Sequence, residues 1–206
     1  GVVQIALAQA DDVLVMLQIE ESNVRRQWFI DPARARNNRL LAVQHFDKEL
    51  RMLKHAVLES ADPTKFEHGV AGLLFLLGFT PSVQLETDAP DLVVTTPGGK
   101  LVIVECTTRI ADFASKIGKL VDRRGSLSKY LSANGHPATL VAVLVCRLPR
   151  DQIAALADEP RAHNVILLAG EDIQGGLDRV RSPTDPDAML ETAIARLDRK
   201  PLPGLE

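Results

Sequence analysis

The segment PDLVVTTPGGKLVIVECT, at residues 90–107, places two short apolar runs on either side of a Pro-Gly-Gly turn. Both runs are rich in β-branched and aliphatic side chains, which favour strands, and the glycines accept the positive φ that a tight loop needs. The pattern therefore predicts an antiparallel hairpin. A three-residue loop at 97–99 would place Asp91, at the outer end of the first strand, directly opposite Glu105 near the end of the second.

Two carboxylates in that position need a compensating cation. Side chains directly opposite each other on neighbouring strands have Cβ atoms about 5 Å apart, and like charges at that distance repel. A hard divalent ion such as Mg²⁺ or Mn²⁺ takes carboxylate oxygens and keeps several waters, which suits a site made from Asp91 and Glu105. Strand alternation also predicts that Thr107 shares the face of Glu105, whereas Cys106 points to the opposite face.

At these residues the chain resembles the PD-(D/E)XK superfamily of restriction-endonuclease-like phosphodiesterases, whose motif is an acid, a hairpin, and then acid-x-lysine. Asp91 follows Pro90, and Glu105-Cys106-Thr107 matches the second half, except that Thr107 stands where the family has lysine. The resemblance implies an α/β fold with a mixed central sheet flanked by helices. It also implies that Asp91 and Glu105 hold the metal ion, with the backbone carbonyl of Cys106 as a further ligand, and that Thr107 lies beside the substrate.

In some branches of the family the lysine has moved to the following helix. A helix predicted over residues 112–124 carries Lys116 and Lys119. Lys116 lies at the edge of the apolar stripe, whereas Lys119 lies on the polar side. We therefore expect Lys116 to replace the missing lysine, with Lys119 as the second candidate. Arg123 and Arg124 follow on the same helix and are candidates for phosphate contacts.

The preceding segment, residues 62–79, resembles the helix before the family's core sheet. Asp62 is a suitable N-cap, Pro63 suits the first helical position and Gly78 offers a stop. Glu67 lies on or beside the inward face, where an acid in the family joins the metal site or holds its waters. An acid in the first turn also stabilises a helix dipole at the surface, and the sequence leaves both roles open.

The rest of the chain divides into two regions. Residues 61–206 alternate strand and helix patterns, which favours a restriction-endonuclease-like α/β domain. Residues 1–60 predict an N-terminal extension with short strands, at 3–7 and 13–19, and a long helix over 33–59. That helix either packs on the core, or dimerises the chain, or links it to another domain. Because the chain begins at Gly1 with strand-like residues, we expect it to be part of something longer.

Composition sets limits on partners and compartment. Hydrophobic residues make up 46% of the 206 residues, ample for a core, and no apolar run approaches the ~20 residues that cross a bilayer. We expect a soluble, cytoplasmic protein with no membrane partner and with Cys106 and Cys146 reduced. The net charge of −3 does not describe a general nucleic-acid binder, so phosphate contacts would depend on local basic groups.

Taken together, these patterns favour a metal-dependent endonuclease that hydrolyses nucleic acid, with DNA as the expected substrate. Its site would contain Glu67, Asp91, Glu105 and Lys116. The alternative is a catalytically silent module of the same fold that binds nucleic acid or a protein partner, because Thr107 replaces the family's lysine. A third alternative is a regulated effector in which the N-terminal region senses a ligand or oligomerises.

Overall fold

A computed structural model describes residues 12–19, 22–30, 37–86 and 88–198. The strands are β1 (Asp12–Ile19), β2 (Ser22–Ile30), β3 (Thr80–Val83), β4 (Leu92–Thr95), β5 (Leu101–Thr107), β6 (Leu140–Cys146) and β7 (Val165–Leu168). The α-helices are α1 (Asn38–Phe46), α2 (Arg51–Leu58), α3 (Pro63–Leu76), α4 (Phe113–Ala133), α5 (Asp158–Ala162), α6 (Gly170–Arg179) and α7 (Pro186–Asp198). Short 3-10 segments lie at Lys48–Leu50, Ile110–Asp112 and Arg150–Leu156.

The central sheet is mixed and has the strand order β3-β4-β5-β6-β7. Strands β3, β4 and β5 pair antiparallel, whereas β5, β6 and β7 pair parallel. In the β4–β5 hairpin Leu92 pairs with Val104 and Thr95 pairs with Leu101, so Asp91 and Glu105 stand opposite each other just beyond the last pair. The predicted hairpin and its register are confirmed. The edge strand β3, which contains a proline, was not predicted.

Helices cover both faces of this sheet and create two apolar cores. One core lies between the sheet and α1, α2, α3, α6 and α7, and it receives Val102, Val104 and Cys106 from β5. The other lies under α4 and receives Ile103 from the same strand. Because side chains alternate along a strand, Glu105 points to the α4 side. The sheet flanked by helices agrees with the predicted fold class.

Helix α3 forms as the sequence predicts. The Asp62 side chain accepts hydrogen bonds from the backbone N–H groups of Thr64 and Lys65, and Pro63 occupies the first turn. Gly78 has a φ of 92°, the left-handed conformation that ends a helix at low cost only for glycine. The buried side chains of this helix fix its orientation against the core, and they thereby fix the position of Glu67 on it.

The N-terminal helix expected over 33–59 is wrong as a single element. The structure has α1 and α2, separated by Glu49 and Leu50 in left-handed conformations with φ values of 59° and 56°. The Asp47 carboxylate accepts hydrogen bonds from the backbone N–H groups of Met52 and Leu53, which starts α2 separately. This chain turn buries Leu50 in the core and offsets the cost of its backbone conformation.

The apolar stripe of these two helices is used within the chain. Leu40, Leu50 and Val57 are buried in the core that includes α3, so the interpretation of a helix packed on the domain is favoured over a dimerising helix. Further upstream, β1 and β2 form an antiparallel hairpin. The strand expected at 13–19 is therefore present, paired with β2, whereas the one expected at 3–7 lies outside the described residues.

The loop of the β4–β5 hairpin is attached to α7. Thr96 Oγ1 donates a hydrogen bond of 2.6 Å to Asp187, and the backbone N–H of Gly98 donates one of 2.7 Å to the same carboxylate. Lys100 Nζ lies 3.2 Å from Asp187 as well. These contacts hold the hairpin at the end remote from Asp91. Among the described residues, none of the helices is both long and apolar enough to span a membrane.

Candidate functional site

Asp91 and Glu105 converge on one ammonium group. Lys116 Nζ lies 2.8 Å from Asp91 Oδ2 and 2.5 Å from Glu105 Oε2. The hairpin register places the two acids side by side. Helix α4 packs on the face of the sheet toward which Glu105 points, and it brings Lys116 to both of them. The expected convergence of the two carboxylates is therefore present. The cation between them is a side chain of the protein.

Glu105 is the most buried member of this group. Its exposed fraction is 0%, and its Oε1 accepts a hydrogen bond from Arg123 Nη1. Its Oε2 has no aligned hydrogen-bond donor within the described residues, although Lys116 is close enough for an ion pair. Burial raises the pKa of Glu105, and the negative charge of Asp91 adds to this effect, while Lys116 and Arg123 oppose it without cancelling it.

Lys116 comes from the first turn of α4, three residues after the buried Phe113 and next to the buried Ile117. Burial lowers the pKa of Lys116, but its hydrogen bonds and ion pairs with Asp91 and Glu105 outweigh that effect and raise it overall. Lys119, the second candidate, is exposed on the same helix. Of the two lysines, the structure brings Lys116 to the carboxylates.

The backbone of β5 contributes to the site where β4 has ended. Cys106 donates its backbone N–H to Asp91 Oδ2 at 2.7 Å, which replaces the missing strand partner and fixes the carboxylate. Within an extended strand the N–H and C=O of one residue point to the same edge, so the Cys106 carbonyl also faces Asp91. Accordingly, the next carbonyl, that of Thr107, faces β6 and accepts from Arg147 N.

The thiol of Cys106 takes no part in this arrangement. It is buried in the apolar core on the opposite face of the sheet. Burial raises the pKa of the Cys106 thiol well above its ordinary value, and the negative charges of Asp91 and Glu67 add to the effect. The thiol therefore stays protonated. Only the main chain of this residue is available to a ligand at the site.

Glu67 lies on the side of α3 that faces the same cluster. Burial raises the pKa of Glu67, and Asp91 and Glu105 raise it further, whereas Lys116 lowers it. Glu67 is half-buried, and it has no hydrogen bond or ion pair within the residues that the structure describes. Of the two roles that the sequence left open, the inward one agrees with this position.

The three predicted substrate contacts, Thr107, Arg123 and Arg124, all have partners within the protein. Thr107 is buried, and its Oγ1 donates to the Arg109 carbonyl and accepts from the Arg109 N–H, so it shapes the turn after β5. Arg124 donates to the backbone carbonyls of His163 and Asn164 and ties α4 to the segment before β7. Arg123 lies in the site, paired with Glu105, and its side chain is partly exposed to solvent. Its pairing was missed because it joins residues 18 positions apart on different elements.

The donor set fits a hard divalent ion with an incomplete protein shell. Asp91 and Glu105 supply carboxylate oxygens, of which Glu105 Oε2 is buried with Lys116 as its ion-pair partner, and the Cys106 carbonyl faces the same edge of β5 as Asp91. In the described part of the chain, however, no three His, Cys, Asp or Glu side chains lie close enough together to hold an ion by themselves. Mg²⁺ suits such a site because it keeps several waters.

An apolar cavity lies elsewhere. Its volume is about 560 Å³, and it is enclosed by α3, α6, α7 and the sheet face that carries Val102 and Val104. Its walls are mostly aliphatic, and it contains none of the charged residues described above. The cavity and the carboxylate cluster therefore lie on opposite faces of the sheet, and the interacting titratable groups make the cluster the candidate site.

No protein-family model matches the chain. No curated protein matches it either. Among solved structures, it is similar to the small subunit of the heterodimeric restriction endonuclease R.BspD6I, with 13% sequence identity and a TM-score of 0.50, over 77% of this chain and 89% of that one. At such low identity the similarity concerns the fold alone. The chain has a restriction-endonuclease-like fold, in agreement with the prediction from its sequence.

Proposed function

We propose that this protein is a metal-dependent phosphodiesterase that hydrolyses nucleic acid, with DNA as its substrate. The observation that carries the proposal is the convergence of Asp91 and Glu105 on Lys116 at the open edge of β5. The fold supports it, because the structural neighbour is a subunit of a restriction endonuclease. Fold alone does not define chemistry, so the proposal depends on the three side chains.

Each residue has a distinct role in this proposal. Asp91, Glu105 and the Cys106 carbonyl would hold Mg²⁺ or Mn²⁺, and Glu67 would hold its waters. A bound ion polarises the scissile phosphate and lowers the pKa of a coordinated water. Lys116 would donate a hydrogen bond to the attacking water or to a phosphate oxygen. Its positive charge then offsets the negative charge that develops at phosphorus.

The experiment is cleavage of supercoiled plasmid with Mg²⁺ or Mn²⁺, comparing the wild type with Asp91→Asn and Glu105→Gln. Both substitutions keep the shape of the side chain and remove its charge. We expect each to reduce the rate by about 100-fold or more, as is typical when one group that stabilises transition-state charge is lost. Cleavage at the wild-type rate by both variants would refute the proposal.

The matched control is Asp122→Asn, which removes the same charge from an exposed position on α4. We expect it to cleave like the wild type.

The form of the DNA product is also informative, because the structural neighbour is one subunit of a heterodimer. We propose a second protein subunit as a partner, and we expect the isolated chain, with a single such carboxylate cluster in its described residues, to convert supercoiled plasmid to the nicked form before any linear product.

A second candidate is a silent module of the same fold that binds nucleic acid or a protein partner. It is favoured by the pairing of Glu105 with both Lys116 and Arg123, which neutralises the carboxylate without a metal ion. Calorimetry with Mn²⁺ separates the two functions. The silent module predicts no heat of binding at millimolar Mn²⁺, whereas the phosphodiesterase predicts binding that Asp91→Asn abolishes.

A further inference from the structure

The two cations on α4 contact Glu105 in different ways. Lys116 and Arg123 are seven residues apart, which places them on the same face of the helix two turns apart. Lys116 is shared between Glu105 and Asp91, whereas Arg123, as far as the described residues go, pairs with Glu105, at Oε1. Lys116 therefore bridges the acids, and Arg123 serves one of them. We therefore expect Lys116 and Arg123 to have different roles.

The charges of the cluster leave room for one more cation. Three carboxylates, Glu67, Asp91 and Glu105, face two cations, so the cluster carries one excess negative charge when all five groups are ionised. A phosphodiester is repelled by that excess. A divalent ion would reverse its sign and make the same cluster attractive to one phosphate.

Arg123 occupies the carboxylate oxygen that such an ion would need. Its contact with Glu105 Oε1 and the ion pair of Lys116 at Oε2 together cover both oxygens of the carboxylate. The Arg123 side chain is 18% exposed, whereas that of Glu105 is 1% exposed. Of the two partners, only the arginine borders solvent, so it is the one able to move aside.

We propose that Arg123 is a positioning residue that holds Glu105 in place before metal arrives and is then displaced by the ion toward the substrate phosphate. The inference rests on the proposed function and adds an order of binding, metal first and phosphodiester second. A guanidinium released from Glu105 stays beside the site. Its planar set of N–H donors matches two oxygens of a phosphate, which a lysine does not do.

The experiment is calorimetric titration of Mn²⁺ alone into wild type, Arg123→Gln and a control, Lys129→Gln. Lys129 is exposed on the same helix, so the control removes an equal charge away from the site. If Arg123 competes with the ion, Arg123→Gln should tighten Mn²⁺ binding by about tenfold or more, because a unit charge near a partly buried site is incompletely screened. Lys129→Gln should change the affinity by less than about twofold.

Arg123→Lys covers the case in which Arg123→Gln does not fold. It keeps the positive charge but shortens the reach to Glu105, so Mn²⁺ binding should tighten by less than in Arg123→Gln and by more than in Lys129→Gln. Mn²⁺ affinity that is unchanged or weaker in Arg123→Gln, or in Arg123→Lys where only that variant folds, would overturn the inference while leaving the metal-dependent function intact. A wild type that binds no Mn²⁺ would overturn both.

Discussion

The two faces of β5 are built from different chemistry. Toward α3 the strand presents Val102, Val104 and Cys106, which lie in a continuous apolar core. Toward α4 it presents Ile103, which is also in a core, and then Glu105, which is fully buried against Lys116 and Arg123. One strand therefore stabilises the fold on one side and, near its end, buries three charged groups on the other.

The difference indicates what each face is for. Apolar side chains stabilise a fold in proportion to the area that they remove from water. A buried ion pair contributes little by comparison, since the desolvation of both charges offsets their attraction. A charged cluster inside an otherwise apolar layer is therefore poorly explained by stability. It agrees with the ion-binding site that we propose.

The largest effect on this comparison should come from the apolar face. Leu76 on α3 is 1% exposed and belongs to the core that receives Val104. Leu76→Ala should reduce the free energy of unfolding by about 3 kcal/mol or more, because it removes buried methyl groups and leaves a cavity. Urea denaturation followed by circular dichroism measures this loss. A loss below about 1 kcal/mol would show that this face is loosely packed.

A smaller loss should follow when the charged face loses one partner. Lys116→Met keeps the length of the side chain but leaves Asp91 and Glu105 without their shared cation. We expect a loss of about 2 kcal/mol, below the full cost of an unpaired buried charge, since Lys116 is 19% exposed and Arg123 remains. The same denaturation experiment compares it with Leu76→Ala.

The triple variant Glu105→Leu, Lys116→Met, Arg123→Leu replaces the charged side chains on the α4 face of β5 with apolar ones, like those on the α3 face. We expect its free energy of unfolding to lie within about 1 kcal/mol of the wild type or above it, because apolar replacements of buried ion pairs are often neutral or stabilising. Cleavage activity should be absent. A triple variant that is less stable than Lys116→Met would show that the charges stabilise the fold directly.

Sequence reasoning worked where the determining interactions are local. The Pro-Gly-Gly loop sets the register that places Asp91 opposite Glu105, and helical periodicity singles out Lys116 over Lys119. It failed where interactions join distant elements. The pairing of Arg123 with Glu105 spans two elements, and no local pattern distinguishes it from a solvent-exposed arginine.

The break between α1 and α2 is a failure of another kind. The apolar stripe continues through it, so periodicity predicts one helix, although the chain turns at Glu49 and Leu50. Asp47 offered a signal, because an Asp ahead of an apolar helix is a candidate N-cap. Its carboxylate does cap α2, but whether such a residue starts a new helix is decided by the burial of Leu50 in the core.

The smallest effect that we expect concerns the pH dependence of stability. The pKa of Glu67 is raised, by burial first and then by the neighbouring acids, so the folded protein binds this proton more tightly than the unfolded chain. The stability that protonated Glu67 provides is therefore present at acidic pH and lost as the pH rises through its folded pKa. Glu67→Gln stays neutral, so in EDTA its melting temperature should match the wild type near pH 4 and exceed it near pH 8.

The control Glu86→Gln, which removes an exposed acid, should have the same pH dependence of melting temperature as the wild type. Equal curves for all three proteins would mean that Glu67 does not sense the cluster, and the site would then consist of the hairpin and α4 alone.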